Sequence, residues 1–114
     1  MLETDRQAIP DALDVGVIVV DAVGRIVAWN EWIARATRLP FARVVGTRLD
    51  EHFAGLVETR IPAAIAEAFE FGSSSVLTHS LNKLLPLKAD DGTPILHNVV
   101  VRPVLTSAEK LCLL

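Results

Sequence analysis

With 114 residues, 51% of them hydrophobic, the chain has material for one domain and one core. Its formal charge of −3 is spread over 11 basic and 14 acidic residues without blocks of either sign, so neither nucleic acid nor an anionic membrane is expected as a partner. A single cysteine, Cys112, excludes an intramolecular disulfide and a multi-cysteine zinc site.

The first ten residues, MLETDRQAIP, lack the basic-then-apolar pattern of a signal peptide, and no later run reaches the roughly 18 apolar residues that span a bilayer. The expectation is a cytoplasmic segment without direct membrane contact. Residues 1–14 have capping-box spacing at Thr4 and Gln7, then Ala8, Ile9, Ala12 and Leu13 with Pro10 between them. They read as a short or broken helical flank. Its small apolar face needs either this domain's own sheet or a second copy to cover it.

Residues 16–30, GVIVVDAVGRIVAWN, are the stretch around which the rest of the chain is organised. Val17, Ile18, Val19 and Val20 are one apolar, β-branched run, and Ile26, Val27, Ala28 and Trp29 are another. Between them Asp21 and Gly24 occupy the preferred ends of a type I turn, which predicts a hairpin. Asn30 then stops the second strand and suits a helix N-cap.

A helix is predicted over 31–38, with Glu31 near its positive end and Ile33, Ala36 and Thr37 on one face. Leu39 and Pro40 end it. Residues 41–46 read as a single helical turn closed by Gly46, and 49–53 as another. The longest helix is predicted over 62–71: Pro62 suits a first turn, Ile61, Ile65, Ala68 and Phe69 recur at helical spacing, and Gly72 stops it.

After three serines at 73–75, residues 76–88 alternate roughly and are broken by Pro86, which predicts an edge or bulged strand. Residues 89–92 are a hairpin signal, 93–105 the longest strand candidate, 106–109 a turn, and 111–114 a last strand that looks cut short. Two strand groups separated by helices give an α+β domain. It would have one mainly antiparallel sheet and its helices on one face.

Gly16-Val17 to Asp21, Gly24-Arg25-Ile26 to Trp29-Asn30, Val45-Gly46, Asp91-Gly92 and Arg102-Pro103, in this order, resemble the PAS sensor domains of bacterial signalling proteins. The likeness extends from about Ala12 onward. The stretches 78–83 (THSLNK) and 96–99 (LHNV) are most similar to PAS modules placed ahead of diguanylate cyclase or histidine kinase domains, the latter in two-component systems. The resemblance implies a five-stranded antiparallel sheet of order 2-1-5-4-3 over residues 15–114, cupping a cavity beneath short helices and one longer helix. It also implies a homodimer through the N-terminal helix or a sheet face, and an output domain elsewhere in a parent chain.

Such a cavity holds haem, flavin, a small organic acid or nothing. Flavin photochemistry in the light-sensing branch requires a cysteine on the helical cap, and residues 30–72 contain none. Haem in the best-known oxygen-sensing branch requires a histidine on the long helix, and 62–71 contain none. His52 near the cap could ligate iron, but beside Asp50 and Glu51 it reads rather as a surface residue, and Cys112 as a small hydrophobe in the last strand. The cofactor is left open, and no metal site is expected.

His97 falls where flavin-binding relatives place an inward polar residue, and strand alternation puts Ile95, Val99 and Val101 on its face. By the same count Leu85 and Leu87 face inward, as does His79 if Pro86 does not shift the register. Phe53, Ile65 and Phe69 would roof the cavity or simply belong to the core. The expected ligand-binding set is therefore His97, His79, Phe53, Ile65, Phe69, Leu85 and Leu87. A neutral imidazole there can hold a ligand carboxylate or carbonyl, or hydrogen-bond to backbone or water.

No nucleophile, histidine and carboxylate fall into a recognisable catalytic order, and no phosphate-cradling glycine loop follows a strand. The reading is a sensor module rather than an enzyme. Its alternatives are a ligand-free dimerisation scaffold and a haem- or flavin-bearing redox or gas sensor.

Overall fold

The computed structural model describes residues 15–53, 55–78, 85, 87–95, 97–105 and 110–113, with 105 and 110–113 described by their backbone alone. In chain order the elements are β1 (Ile18–Val20), β2 (Ile26–Trp29), α1 (Glu31–Thr37) and α2 (Phe41–Val44). Two 3₁₀ turns (Leu49–Glu51 and Leu56–Glu58) lead to α3 (Ile61–Phe71), then β3 (Ser75–Leu77), β4 (Val99–Leu105) and β5 (Lys110–Leu113). The strands form an antiparallel sheet in the order β2-β1-β5-β4-β3, which sets the first and last strands side by side at its centre.

The first hairpin follows directly from its turn chemistry. Asp21 Oδ1 accepts from the amides of Val23 (3.0 Å) and Arg25 (2.9 Å), and the Gly24 amide donates to the Asp21 carbonyl at 3.0 Å. Gly24 closes the turn at φ +84°, a conformation that costs glycine least.

Beyond β2 the chain returns along that strand's free edge. Ile26 N donates to Thr47 O (2.8 Å), Gly46 N to Ile26 O (2.9 Å) and Leu49 N to Gly24 O (3.0 Å). Periodicity reads 41–46 only as a helical turn. The structure adds that the residues after α2 cover an edge whose backbone groups would otherwise be unpaired.

The core lies between the inner sheet face and the helices. Ile18, Val20, Ile26, Trp29, Val44, Ile61 and Val101 are buried, and Ala64 and Ala68 bring α3 close to the sheet, where it packs on β3, β4 and β5. Trp29 stacks on Phe53 with ring centroids 6.0 Å apart and donates from Nε1 to Leu39 O at 2.9 Å.

The two late strands are shorter than their predicted spans of 76–88 and 93–105. β3 ends at Leu77, and β4 begins at Val99. Residues 87–89 and 93–95 make an irregular ladder instead: Ala89 N donates to Thr93 O, Lys88 bridges Pro94, and Ile95 N donates to Leu87 O. Pro94 supplies no amide to a regular ladder, and Leu87 N bends back to Leu85 O at 2.9 Å, so strand geometry fails there. The predicted flank at 1–14 and the turn at 106–109 lie outside the described residues. No helix among the described residues is long and apolar enough to cross a membrane.

Candidate functional site

Leu113 pairs with Val19 of β1 and with Arg102 of β4. The first turn of α1, through Trp32 and Ile33, and the segment carrying Leu85 and Leu87 come together with residues 15–18 and 97–100. The result is a cavity of about 590 Å³ whose walls are mostly apolar, with His97 and Asn98 set in them and Arg102 at the rim.

Asn30 fixes two of these walls at once. Fully buried, it caps α1 by accepting from Ile33 N at Oδ1 (3.1 Å), and the same oxygen accepts from Val17 N (3.0 Å). Its Nδ2 donates to Val15 O at 2.6 Å. Sequence reasoning finds the cap but misses the clamp on the entering strand, because the thirteen- and fifteen-residue separations carry no local pattern.

Clamped this way, α1 lies directly on the chain at Gly16. A Cβ built there would stand 2.5 Å from Ile33 Cδ1, 2.8 Å from Ile33 Cγ1 and 2.9 Å from Trp32 Cε3, so a side chain at this position would have to displace both residues.

The opposite wall is held by backbone and by one arginine. Lys88 N donates to Ala36 O at 3.2 Å. Arg38, in left-handed conformation (φ +63°) at the end of α1, donates to the carbonyls of Ala89 (3.1 Å) and Asp90 (3.2 Å) and reaches Asp90 Oδ1 at 3.4 Å. The hairpin that begins at Ala89 is stiffened by Asp91, whose Oδ1 accepts from the Thr93 hydroxyl (2.7 Å) and amide (3.0 Å). Those two bonds, the hydroxyl first, hold the Asp91 carboxyl below the usual aspartate range.

His97 stands just ahead of β4 in this lining. Its Nδ1 lies 2.9 Å from Ile95 O, while Nε2 is buried and has no hydrogen-bond partner among the described residues. Val99 and Val101 are buried, and Ile95 is half-buried against the core.

Of the predicted set, His97, Leu85 and Leu87 line this cavity. Phe53 instead stacks on Trp29, and Ile65 and Phe69 pack against the core; none of these three borders the cavity. His79 lies outside the described residues. Gly16, Trp32 and Ile33 are lining residues that the sequence reading did not select.

His52 is engaged elsewhere. The Thr47 hydroxyl donates to Val44 O and therefore accepts from His52 Nε2 at 2.7 Å, which leaves that nitrogen in a local turn. Among the described residues no three metal-ligating side chains come together. The cavity's one described histidine stands at the start of β4 rather than on α3, and the cap carries no cysteine. These residues do not fit haem on a helix-borne histidine or a flavin–cysteine adduct.

The protein comparisons agree with this architecture. The chain superposes on the crystal structure of the PAS domain of nitrogen regulation protein NR(II) from Vibrio parahaemolyticus with a TM-score of 0.68, at 17% identity, covering 95% of this chain and 92% of that one. The PAS domain of a protein from Colwellia psychrerythraea gives 0.59 at 16% identity, covering 96% and 92%. No curated protein matches the chain. At these identities the structures speak for the fold alone, but a family model described as the PAS fold matches residues 11–109. The chain belongs to the PAS-fold family.

Proposed function

We propose that the chain is a sensory module of a bacterial signal-transduction protein that binds a small, largely apolar ligand in the cavity between β1, α1 and β4. The observation that carries this reading is a cleft of about 590 Å³ whose mostly apolar lining, which also includes Asn98 and Arg102, contains a histidine with a buried nitrogen that has no partner among the described residues. Leu85, Leu87 and His97 are the ligand contacts from the expected set. Gly16, Trp32 and Ile33 supply the facing wall.

Occupancy would be relayed through β1. That strand borders the cavity at Ile18, pairs with β5, and follows directly on the N-terminal flank. A ligand wedged between residues 15–18 and β4 would shift the packing of the flank, or of a second copy, and so reach an output domain such as a histidine kinase or diguanylate cyclase in the cytoplasm.

A second reading is a ligand-free dimerisation scaffold. It is favoured by Val76 and Val100, which are paired across β3 and β4 and exposed at 66% and 37%.

Native mass spectra of the purified chain, taken with gentle and with denaturing ionisation, separate the two. The sensor reading expects an extra mass released on denaturation. A ligand-free mass at twice the chain weight, unchanged when cell extract metabolites are added, would overturn it in favour of the scaffold.

A further inference from the structure

We infer that residues 1–14 dock on the outer face of β1 and β2, the side of the sheet turned away from the core, with Ala28 at the centre of the contact. Whether the cavity takes a ligand does not bear on this. In the first hairpin Ile18 pairs with Trp29 and Val19 with Ala28. Ile18 and Trp29 both lie in the core, so alternation along the two strands turns Val19 and Ala28 to the other face. Ala28 is nevertheless only 7% exposed, and among the described residues it is the one buried hydrophobic that does not belong to the core cluster. Val19 and Val27 beside it are half-buried, and neither packs against the core.

The described helices lie on the other side. α1 contributes Ile33 and Ala36 to the core, α2 contributes Val44, the two 3₁₀ turns Leu49 and Leu56, and α3 Ile61, Ala64 and Ala68. The chain along the free edge of β2 is bonded at Gly24 and Ile26, short of Ala28. The cover over Ala28 therefore comes from elsewhere.

Residues 1–14, which lie outside the described residues, join the chain at Val15, next to β1. Ala8, Ile9, Ala12 and Leu13 are spaced to share one side of a helix, with Asp11 and Asp14 on the opposite side and Pro10 in a first turn. Neighbouring strands stand about 4.8 Å apart, and a helix rising about 1.5 Å per residue covers about 6 Å from Leu13 back to Ile9. That is enough to cross from β1 to β2 once the chain folds back ahead of Ile18. A second copy could offer an apolar surface too, but a segment tethered beside the patch meets it at an effective concentration of roughly millimolar, far above that of a free partner. Any rearrangement of β1 is then felt by residues 1–14 of the same chain.

The test uses the 114-residue chain with ¹³C-labelled alanine, isoleucine and leucine methyl groups. Nuclear Overhauser contacts are expected from the Ala28 methyl to those of Ile9, Ala12 or Leu13. In a mixture of labelled and unlabelled chains an isotope-filtered spectrum should show none of them between chains. Trypsin cleavage after Arg6, followed by mass spectrometry, gives a second readout. Ala28→Gln, which sets a polar amide under the segment, should speed that cleavage about tenfold. Val76→Gln, at an exposed position on β3 far from Ala28 in the sheet, should leave it unchanged.

Contacts between Ala28 and residues 8–13 that arise only between chains, or an Ala28 methyl that touches none of them, overturn the inference. So does cleavage after Arg6 that is equally fast in the wild type and in a folded Ala28→Gln chain. The methyl contacts, read in the wild type alone, decide the matter if that variant does not fold.

Discussion

Val17 and Ile33 share one acceptor: the amides of both donate to Asn30 Oδ1, at 3.0 and 3.1 Å. A strand entrance and a helix start are thereby tied through one buried side chain, which also donates from Nδ2 to Val15 O at 2.6 Å. Asn30→Ala removes all three bonds and leaves two amides and a carbonyl without them. It should cost about 2–4 kcal/mol, more than an exposed cap, because water cannot fully replace the lost partners. Asn30→Asp keeps the acceptor but turns a second oxygen toward Val15 O, so it should fall between the wild type and the alanine variant. Urea midpoints for the three proteins provide the check, and equal midpoints for the alanine and aspartate variants would show that the Nδ2 bond carries the whole effect.

That residue also shows how far the sequence could be read. Asn30 after a β-branched run, Asp21 and Gly24 around a turn, and Gly72 after a helical stripe are local signals, and each element they predict is present. The sheet order came from resemblance, since nothing local states which strands become neighbours. The cavity was the least legible part. Leu85, Leu87 and His97 border it because an irregular ladder around Pro94 preserves an inward alternation that regular strands would also have given. Phe53, Ile65 and Phe69 carry the same apolar signal, but they fill the core around Trp29 and α3 instead of bordering a void. Composition marks a residue as inward-facing; whether space is left in front of it depends on packing between elements distant in sequence.

Arg38 is a second place where local pattern and tertiary need diverge. The residue that ends α1 has φ +63°, a conformation in which glycine is the usual occupant, yet its guanidinium reaches the carbonyls of Ala89 and Asp90 across about fifty positions. Two opposing effects can be separated. Arg38→Ala keeps the backbone strain and loses the reach; Arg38→Gly loses the reach but relieves the strain. The glycine variant should be the more stable of the two by about 1 kcal/mol, the usual cost of a side chain in the left-handed region. Both variants should exchange the Lys88 amide, bonded to Ala36 O, faster than the wild type. Unchanged exchange in both would show that the backbone bond alone fastens this wall of the cavity.

Asp91 gives the hairpin beyond that wall its dependence on acid. The Thr93 hydroxyl and amide both donate to its carboxylate and favour the ionised form, so the folded-state pKa lies below that of the unfolded chain. For a depressed carboxyl the stabilisation is complete above the unfolded value, about 3.9 for an aspartate. It is lost as pH falls through the folded-state titration, because the protonated acid no longer gains from the two donors. Asp91 is exposed, and solvent screening keeps the effect on global stability small, so the direct readout is the carboxyl itself. In a side-chain ¹³C titration Asp91 should titrate below an unstructured aspartate. Thr93→Val, which removes the hydroxyl and keeps the amide, should bring it part of the way back. Amide exchange at Thr93 should quicken in the wild type as the carboxyl protonates, relative to the intrinsic rate at each pH, and should show no such step in Asp91→Asn. A titration at the unstructured position, unmoved by Thr93→Val, would mean that the turn holds its shape through the backbone bonds between Ala89 and Thr93 and that the carboxylate only decorates it.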